Sequence, residues 1–266
     1  MTQLRREAVA GVFYPGDPDG LRATVSEYLD KGAAAVDPRV PVPKAIIAPH
    51  AGYRYSGATA GRAWATVMAA RGRIRRVVLV GPAHRVALRG IGVPRADGWA
   101  TPLGAVAIDV ELRERALAHP GVVVSDEAHA PEHSLEVHLP FIRVALGEEV
   151  RVLPLVVGSV EPEVLGDVLD GLWGGDETLV AASTDLSHYH PEAEARRIDH
   201  ETVDLILGGK VDEIGHTRAC GAVPVQGLLL AAARHDVAPH LIDVCASADT
   251  AGPRDRVVGY GAFALA

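Results

Sequence analysis

A single α/β domain spanning residues 1–266, with a central, mostly parallel sheet flanked by helices, is the architecture this chain predicts. Short apolar runs alternate along its length with longer helical stretches, the pattern of a layered α/β domain. Those runs are rich in Val, Ile, Leu and Ala and apolar on both faces, as strands of a sheet covered on both sides tend to be. No internal repeat, low-complexity tract or linker divides the chain.

The strand candidates are Lys44–Ala48, Arg76–Gly81, Val122–Val124, Val150–Gly158, Leu179–Ser183 and Val257–Leu265. Between them lie helical candidates at Gly57–Ala70, Val110–Ala118, Ser134–Leu146, Glu161–Leu172, Pro191–Leu207 and Val223–Arg234. The stretch Ile91–Asp109 departs from this rhythm. Its Pro94, Gly98, Pro102 and Gly104 break any helix and predict a hairpin-like excursion with short strands.

Composition narrows the function. A formal charge of −8 argues against nucleic acid or an anionic membrane surface as the main partner. No apolar run approaches the roughly 18 residues of a membrane span, and the N-terminus lacks the apolar stretch of a signal peptide. At 266 residues the chain can bury a core without disulfide staples. Two cysteines, Cys220 and Cys245, are too few for a secreted disulfide framework, so a cytoplasmic location is expected. A homodimer is expected only from the general prevalence of such assemblies.

Chemistry gathers after the strands. His50 ends K-A-I-I-A-P-H, His84 ends R-V-V-L-V-G-P-A-H, and His188 ends L-V-A-A-S-T-D-L-S-H. Ligands of open α/β sheets bind beyond the carboxyl ends of the strands, so three histidines delivered there could converge on one site. Pro49 and Pro82 stiffen two of these loops, and Gly52 and Gly81 permit close backbone approach or unusual φ values. Each of these also fits an ordinary strand end or tight turn.

Two further clusters stand out. In E-H-S-L-E-V-H-L-P-F, His133 and Glu136 are three apart and would share a helix face, suiting an acid–base or supporting role; helix N-terminal capping explains the acidic residues about as well. In S-T-D-L-S-H, Asp185 stands three residues before His188, where it could orient the imidazole or cap a turn.

Taken in order, R-E-A-V-A-G-V-F-Y-P, I-I-A-P-H-A-G-Y, V-G-P-A-H, T-P-L-G, E-H-S-L-E-V-H-L-P, S-T-D-L-S-H, C-G-A-V-P and V-G-Y-G-A cover nearly the whole chain. Each piece alone is weak; the ordered set resembles the Memo family, including bacterial members known as protein B of the AmmeMemoRadiSam system. The resemblance implies a fold shared with LigB-type extradiol dioxygenases, which hold non-haem Fe(II) with two histidines and a carboxylate. Carried over, it makes His50 and His84 metal ligands and His188 the pocket histidine, supported by Asp185, with His133 and Glu136 nearby.

The third ligand does not transfer directly. Counting back from Val258 to the position of the cysteine that animal members carry gives Thr250. Asp249 is adjacent and would restore a two-histidine, one-carboxylate set. If Val244–Asp249 is extended, Cys245 and Asp249 share a face. Asp249 is the expected ligand, with Thr250, Cys245 or an incomplete site as alternatives. Cys220, Tyr53 and Thr250 are expected in the substrate pocket.

Three functions follow. The resemblance implies a dioxygenase-like oxidoreductase that uses Fe(II), with Cu or Zn as the other candidate metals, on a small-molecule or peptide ligand. An accessory protein working beside a radical SAM partner is the second. A hydrolase in which Zn²⁺ activates water, with Glu136 or His188 as base, is the third.

Overall fold

The computed structural model describes residues 3–36 and 41–266. It opens with β1 (Leu4–Arg5) and α1 (Pro18–Ala33). Next come β2 (Ala45–Ala48), α2 (Tyr53–Ala65) and β3 (Arg76–Pro82). Three short strands follow, β4 (Ile91–Val93), β5 (Gly98–Trp99) and β6 (Val106–Ala107), then α3 (Val110–Leu117), β7 (Val122–Val124) and α4 (Asp126–His129). The second half runs α5 (Leu139–Leu146), β8 (Arg151–Val157), α6 (Pro162–Gly171) and β9 (Thr178–Ser183). It closes with β10 (His188–His190), α7 (Glu192–Leu207), α8 (Ala222–Arg234), β11 (Pro239–Ala246) and β12 (Val257–Leu265).

Strands β2, β9, β3 and β8 lie side by side in that order, all parallel, and form the middle of the main sheet. Antiparallel strands extend it on both sides: β12 with β10 and β11 next to β2, and β4 next to β8, with β7 parallel to β4 at the far edge. The parallel centre is therefore as expected, and the whole sheet is mixed. Of the Ile91–Asp109 excursion, β4 joins this sheet, while β5 and β6 form an antiparallel pair that β1 extends into a second, small sheet.

The central strands are buried on both faces because successive side chains enter different layers. Ile46, Val77, Leu79 and Val152 pack with α1, α2 and α5, whereas Ile47, Val78, Val80 and Leu153 pack with α3, α6, α7 and α8. The result is a three-layer α/β/α sandwich. Among the described residues, no helix is long and apolar enough to cross a membrane.

Three expectations are corrected. α1 has no counterpart among the sequence candidates, although its signals are present: Asp17 accepts the Gly20 N–H as N-cap, Pro18 begins the first turn, and Leu21, Val25 and Leu29 form the buried stripe. The helix expected over Ser134–Leu146 begins only at Leu139, after a 3-10 turn at Glu136–His138, with Pro140 in its first turn. The extended run considered over Val244–Asp249 ends at Ala246, and Ser247–Asp249 is a 3-10 turn, so Cys245 and Asp249 share no strand face.

That late helix start sends Glu136 into the core. Its carboxylate pairs with the buried Arg5 and accepts the Ala8 N–H (2.7 Å), the Val9 N–H (3.0 Å) and the Tyr14 hydroxyl (2.6 Å). Arg5 stacks on Trp99 and also donates to the carbonyls of His129 and Glu132. The acid–base role considered for Glu136 is thus replaced by a structural one, which ties the N-terminal segment to the loop before α5. Removing one partner of a buried pair leaves the other uncompensated, at a cost of about 3–5 kcal/mol. Arg5→Met should lose this much in equilibrium urea unfolding; equal stability of Arg5→Met and the parent would refute it.

Candidate metal centre

Because β2, β9 and β3 are neighbours, the loops that follow them emerge side by side. His50 follows β2, Asp185 and His188 follow β9, and His84 follows β3. Together with Phe13, His133 and Cys220 they line an open cavity of about 640 Å³. The structure thus gathers six of the expected site residues, His50, His84, His133, Asp185, His188 and Cys220, at one place.

Ligand atoms of His50, His84 and Cys220 all lie within 4.8 Å of one another. Cys220 Sγ is 3.3 Å from His50 Nε2. The cysteine comes from the loop before α8, which is pinned to the end of β9: the Cys220 N–H donates to the Asp185 carbonyl (3.2 Å) and the Gly221 N–H to Thr184 Oγ1 (2.9 Å). A side chain at Gly221 would clash with the Ser183 carbonyl, so glycine is what allows this approach. Gly81 has the same function in β3, where an added Cβ would sit 2.9 Å from Leu135 and 3.2 Å from Ser183 Cβ. Gly52, by contrast, has an ordinary φ of −56°.

Glu132 organises the His84 side. One oxygen accepts the backbone N–H of His84 (2.5 Å); the other accepts the N–H groups of His133 and Ser134 (2.9 Å each) and lies 3.0 Å from His84 Nδ1. An ionised carboxylate only accepts, so His84 carries its proton on Nδ1 and leaves Nε2 bare. Burial works to raise the Glu132 pKa but is outweighed by contact with the His133 and His84 rings and by the backbone N–H groups, which hold it well below the usual carboxylate range. His133 stacks on His84 with centroids 4.8 Å apart. Its Nδ1 lies 3.2 Å from Glu132, outside hydrogen-bond geometry.

Asp185 and His188 are both in place but not as a pair. Asp185 Oδ1 accepts the His50 N–H (2.8 Å) and the Ala51 N–H (3.3 Å), so it shapes the His50 loop. Burial raises its pKa, opposed by those N–H groups. His188 Nδ1 instead lies 2.8 Å from the Leu186 carbonyl, which can only accept, so Nε2 is left bare in the cavity. Burial, then the neighbouring imidazoles, hold the His50 pKa well below its usual value. Burial followed by Asp185 pushes the Cys220 thiol up to about 12.

The remaining expectations fall elsewhere. Asp249 pairs with Arg196 (2.6 Å), accepts the Ala246 N–H (2.9 Å), and does not line the cavity; the thiol of Cys220 stands where its carboxylate was expected. Thr250 donates to backbone carbonyls of Tyr55 or Ser247 (3.1 Å each). Cys245 lies 3.0 Å from Thr59 Oγ1. Tyr53 is buried, donating to the Val137 carbonyl (2.6 Å) and packing on Phe141. Sequence reasoning gave no role to Glu132, nor to Ser183 and His138 behind His50; the E-H pair at 132–133 was the available signal.

These features define a three-layer α/β protein whose two imidazoles and one thiol, at the carboxyl edge of the parallel strands, could hold a metal ion. The chain belongs to the Memo family: the family model described as Memo-like protein matches residues 5–264. A MEMO1 family protein of Aquifex aeolicus is 36% identical over 97% of both chains, and one of Archaeoglobus fulgidus is 35% identical over 97% of both. Among solved structures, an uncharacterized protein of Escherichia coli K12 shares the fold, with a TM-score of 0.57 and 18% identity, covering 84% of this chain and 99% of that one.

Burial lowers the pKa of His138, just behind the site, from 6.5 to about 3. The unfolded chain therefore binds a proton there below pH 6.5 that the folded chain refuses until near pH 3. The stability tied to neutral His138 is complete above pH 6.5 and declines as pH falls toward 3. Urea midpoints measured across this range should fall less steeply with acidification for His138→Gln than for the parent; parallel curves would refute the assignment.

Proposed function

We propose that the protein is a metal-dependent oxidoreductase, with an ion held by His50, His84 and Cys220 and a small substrate admitted through the adjoining cavity. The observation that carries this reading is the convergence of two imidazoles and a thiol at the edge of an open cavity that also holds His188. The donor set fits iron, copper or zinc and not magnesium or calcium. The family resemblance to extradiol dioxygenases favours Fe(II) among them. Such an ion, when bound, supplies a place where substrate and O₂ meet for electron transfer.

The chain's own residues do the rest. Glu132 aims His84, and Asp185 holds the backbone of the His50 loop. His188, its Nδ1 proton given to a carbonyl, offers Nε2 to take or return a substrate proton. The Cys220 thiol must ionise to act as a ligand, and a neighbouring cation reverses the effect of burial that otherwise keeps it protonated.

One feature favours a second reading. A thiol completes the donor set, not the carboxylate that the resemblance to extradiol dioxygenases implies, and a softer donor suits tight metal binding without turnover. The protein would then be a metal-binding accessory, for example beside a radical SAM enzyme.

Anaerobic reconstitution with Fe(II), Cu(I) and Zn(II) tests both. One equivalent should bind, and His50→Ala, His84→Ala and Cys220→Ala should each abolish stoichiometric binding, while Asp249→Ala leaves it intact. O₂ uptake with a panel of catechols should appear in the iron form and disappear in His188→Ala with the metal retained. Metal without any O₂ uptake would select the accessory reading. Failure to bind any of the three would overturn both.

A further inference from the structure

Behind His50 runs a chain of side chains that the proposed function does not use. We infer that Trp64, His138 and Ser183 form a tautomer lock, positioning residues that hold His50 with its proton on Nδ1 and its bare lone pair on Nε2. The use of that lone pair rests on the metal reading above; the lock itself does not.

The indole N–H of Trp64 can donate but never accept, and Trp64 Nε1 lies 3.2 Å from His138 Nδ1. His138 Nδ1 must therefore be an unprotonated acceptor. A neutral imidazole carries one ring proton, so the proton of His138 sits on Nε2. Nε2 faces Ser183 Oγ at 2.9 Å and donates to it.

Ser183 has one proton and two lone pairs to place. Its Oγ is 2.6 Å from the carbonyl oxygen of Ser134, a group that only accepts. Two oxygens this close require a proton between them, so the hydroxyl donates there. One lone pair accepts from His138. The other faces His50 Nδ1 at 2.7 Å. With the hydroxyl proton already committed, that contact is favourable only if His50 Nδ1 carries the hydrogen. His50 Nε2 is left bare, 3.3 Å from Cys220 Sγ. All four side chains are buried, so water is not at hand to reverse any link.

His50 and His138 thus hold opposite tautomers, that of His138 set by the Trp64 indole and that of His50 by a Ser183 hydroxyl already committed to the Ser134 carbonyl. His84 reaches the same Nδ1–H form through an anionic partner, Glu132, whereas His50 reaches it through neutral groups only.

Long-range ¹H–¹⁵N correlation spectra of the ¹⁵N-labelled, metal-free chain under reducing conditions read the tautomers directly. His50 should show a protonated Nδ1 and bare Nε2, and His138 the reverse. A proton on His50 Nε2, or on His138 Nδ1, overturns the lock. In Ser183→Ala the single-tautomer pattern of His50 should give way to a mixture, and affinity for Zn(II) should fall about 10-fold or more, the range seen when partners of metal-ligating histidines are removed; in Trp64→Phe the mixture should appear at His138. Far-UV circular dichroism and thermal melting show whether these variants remain folded; if neither does, the parent spectrum alone decides. A folded Ser183→Ala that keeps the parent pattern also overturns the proposal. If the parent shows the expected tautomers but binds no Zn(II), the metal reading fails and the lock stands; if it binds Zn(II) with His50 protonated on Nε2 beforehand, the lock fails and the metal reading stands.

Discussion

Glu132 is the group around which the strand ends are arranged. Its carboxylate is shut off from water, and an ionised carboxylate in that position costs several kcal/mol unless donors surround it. Three backbone N–H groups and the His84 ring supply them. Meeting that demand brings the loop after β3 against the loop before α5. Ser134, next in line, extends the connection by donating to the Pro82 carbonyl and accepting from Ser183 at the end of β9. One buried charge therefore fixes the relative placement of two of the loops that line the cavity. Arg5 holds the same loop from the opposite side through the Glu132 carbonyl and Glu136.

This arrangement separates two carboxylates that look alike in the sequence. Glu132 and Glu136 are four residues apart in one motif, yet one turns to His84 and the other to Tyr14 and the N-terminal segment. The difference arises from backbone geometry. The segment between them is not helical, because the helix waits for Pro140, and so the i, i+3 relation of His133 and Glu136 has no meaning there.

The fold was legible because it rests on patterns that survive without tertiary knowledge. Runs such as Val77–Val80 and Leu153–Val157 are apolar throughout, and a strand with both faces covered is the arrangement that buries them. His50, His84 and His188 were legible for a related reason: each follows a central strand, and strand ends share an edge whatever the order of the strands. The N-terminal helix escaped notice because only every fourth residue or so is buried. Ser183 and His138 escaped for a different reason. Their importance lies in which lone pair meets which proton, and a serine at a strand end carries no mark of that in the sequence.

The third ligand position shows where distance along the chain misleads. Asp249 was favoured because it lies near the last strand motif and its chemistry completes a familiar set. In the structure its carboxylate already has a cation, Arg196, and a backbone N–H, so moving it to the cavity would break the Arg196 contact and leave the Ala246 N–H without its acceptor. Cys220 approaches from a loop whose backbone bonds to the end of β9, and the Asp185 N–H lies 3.3 Å from its sulfur as a ready donor. That donor favours the thiolate over the thiol, opposing the burial that raises its pKa. The site therefore balances a thiol that ionises reluctantly against two imidazoles whose Nε2 atoms are bare. Left alone, the thiol keeps its proton, and a cation held among the three donors is what would favour its ionised form.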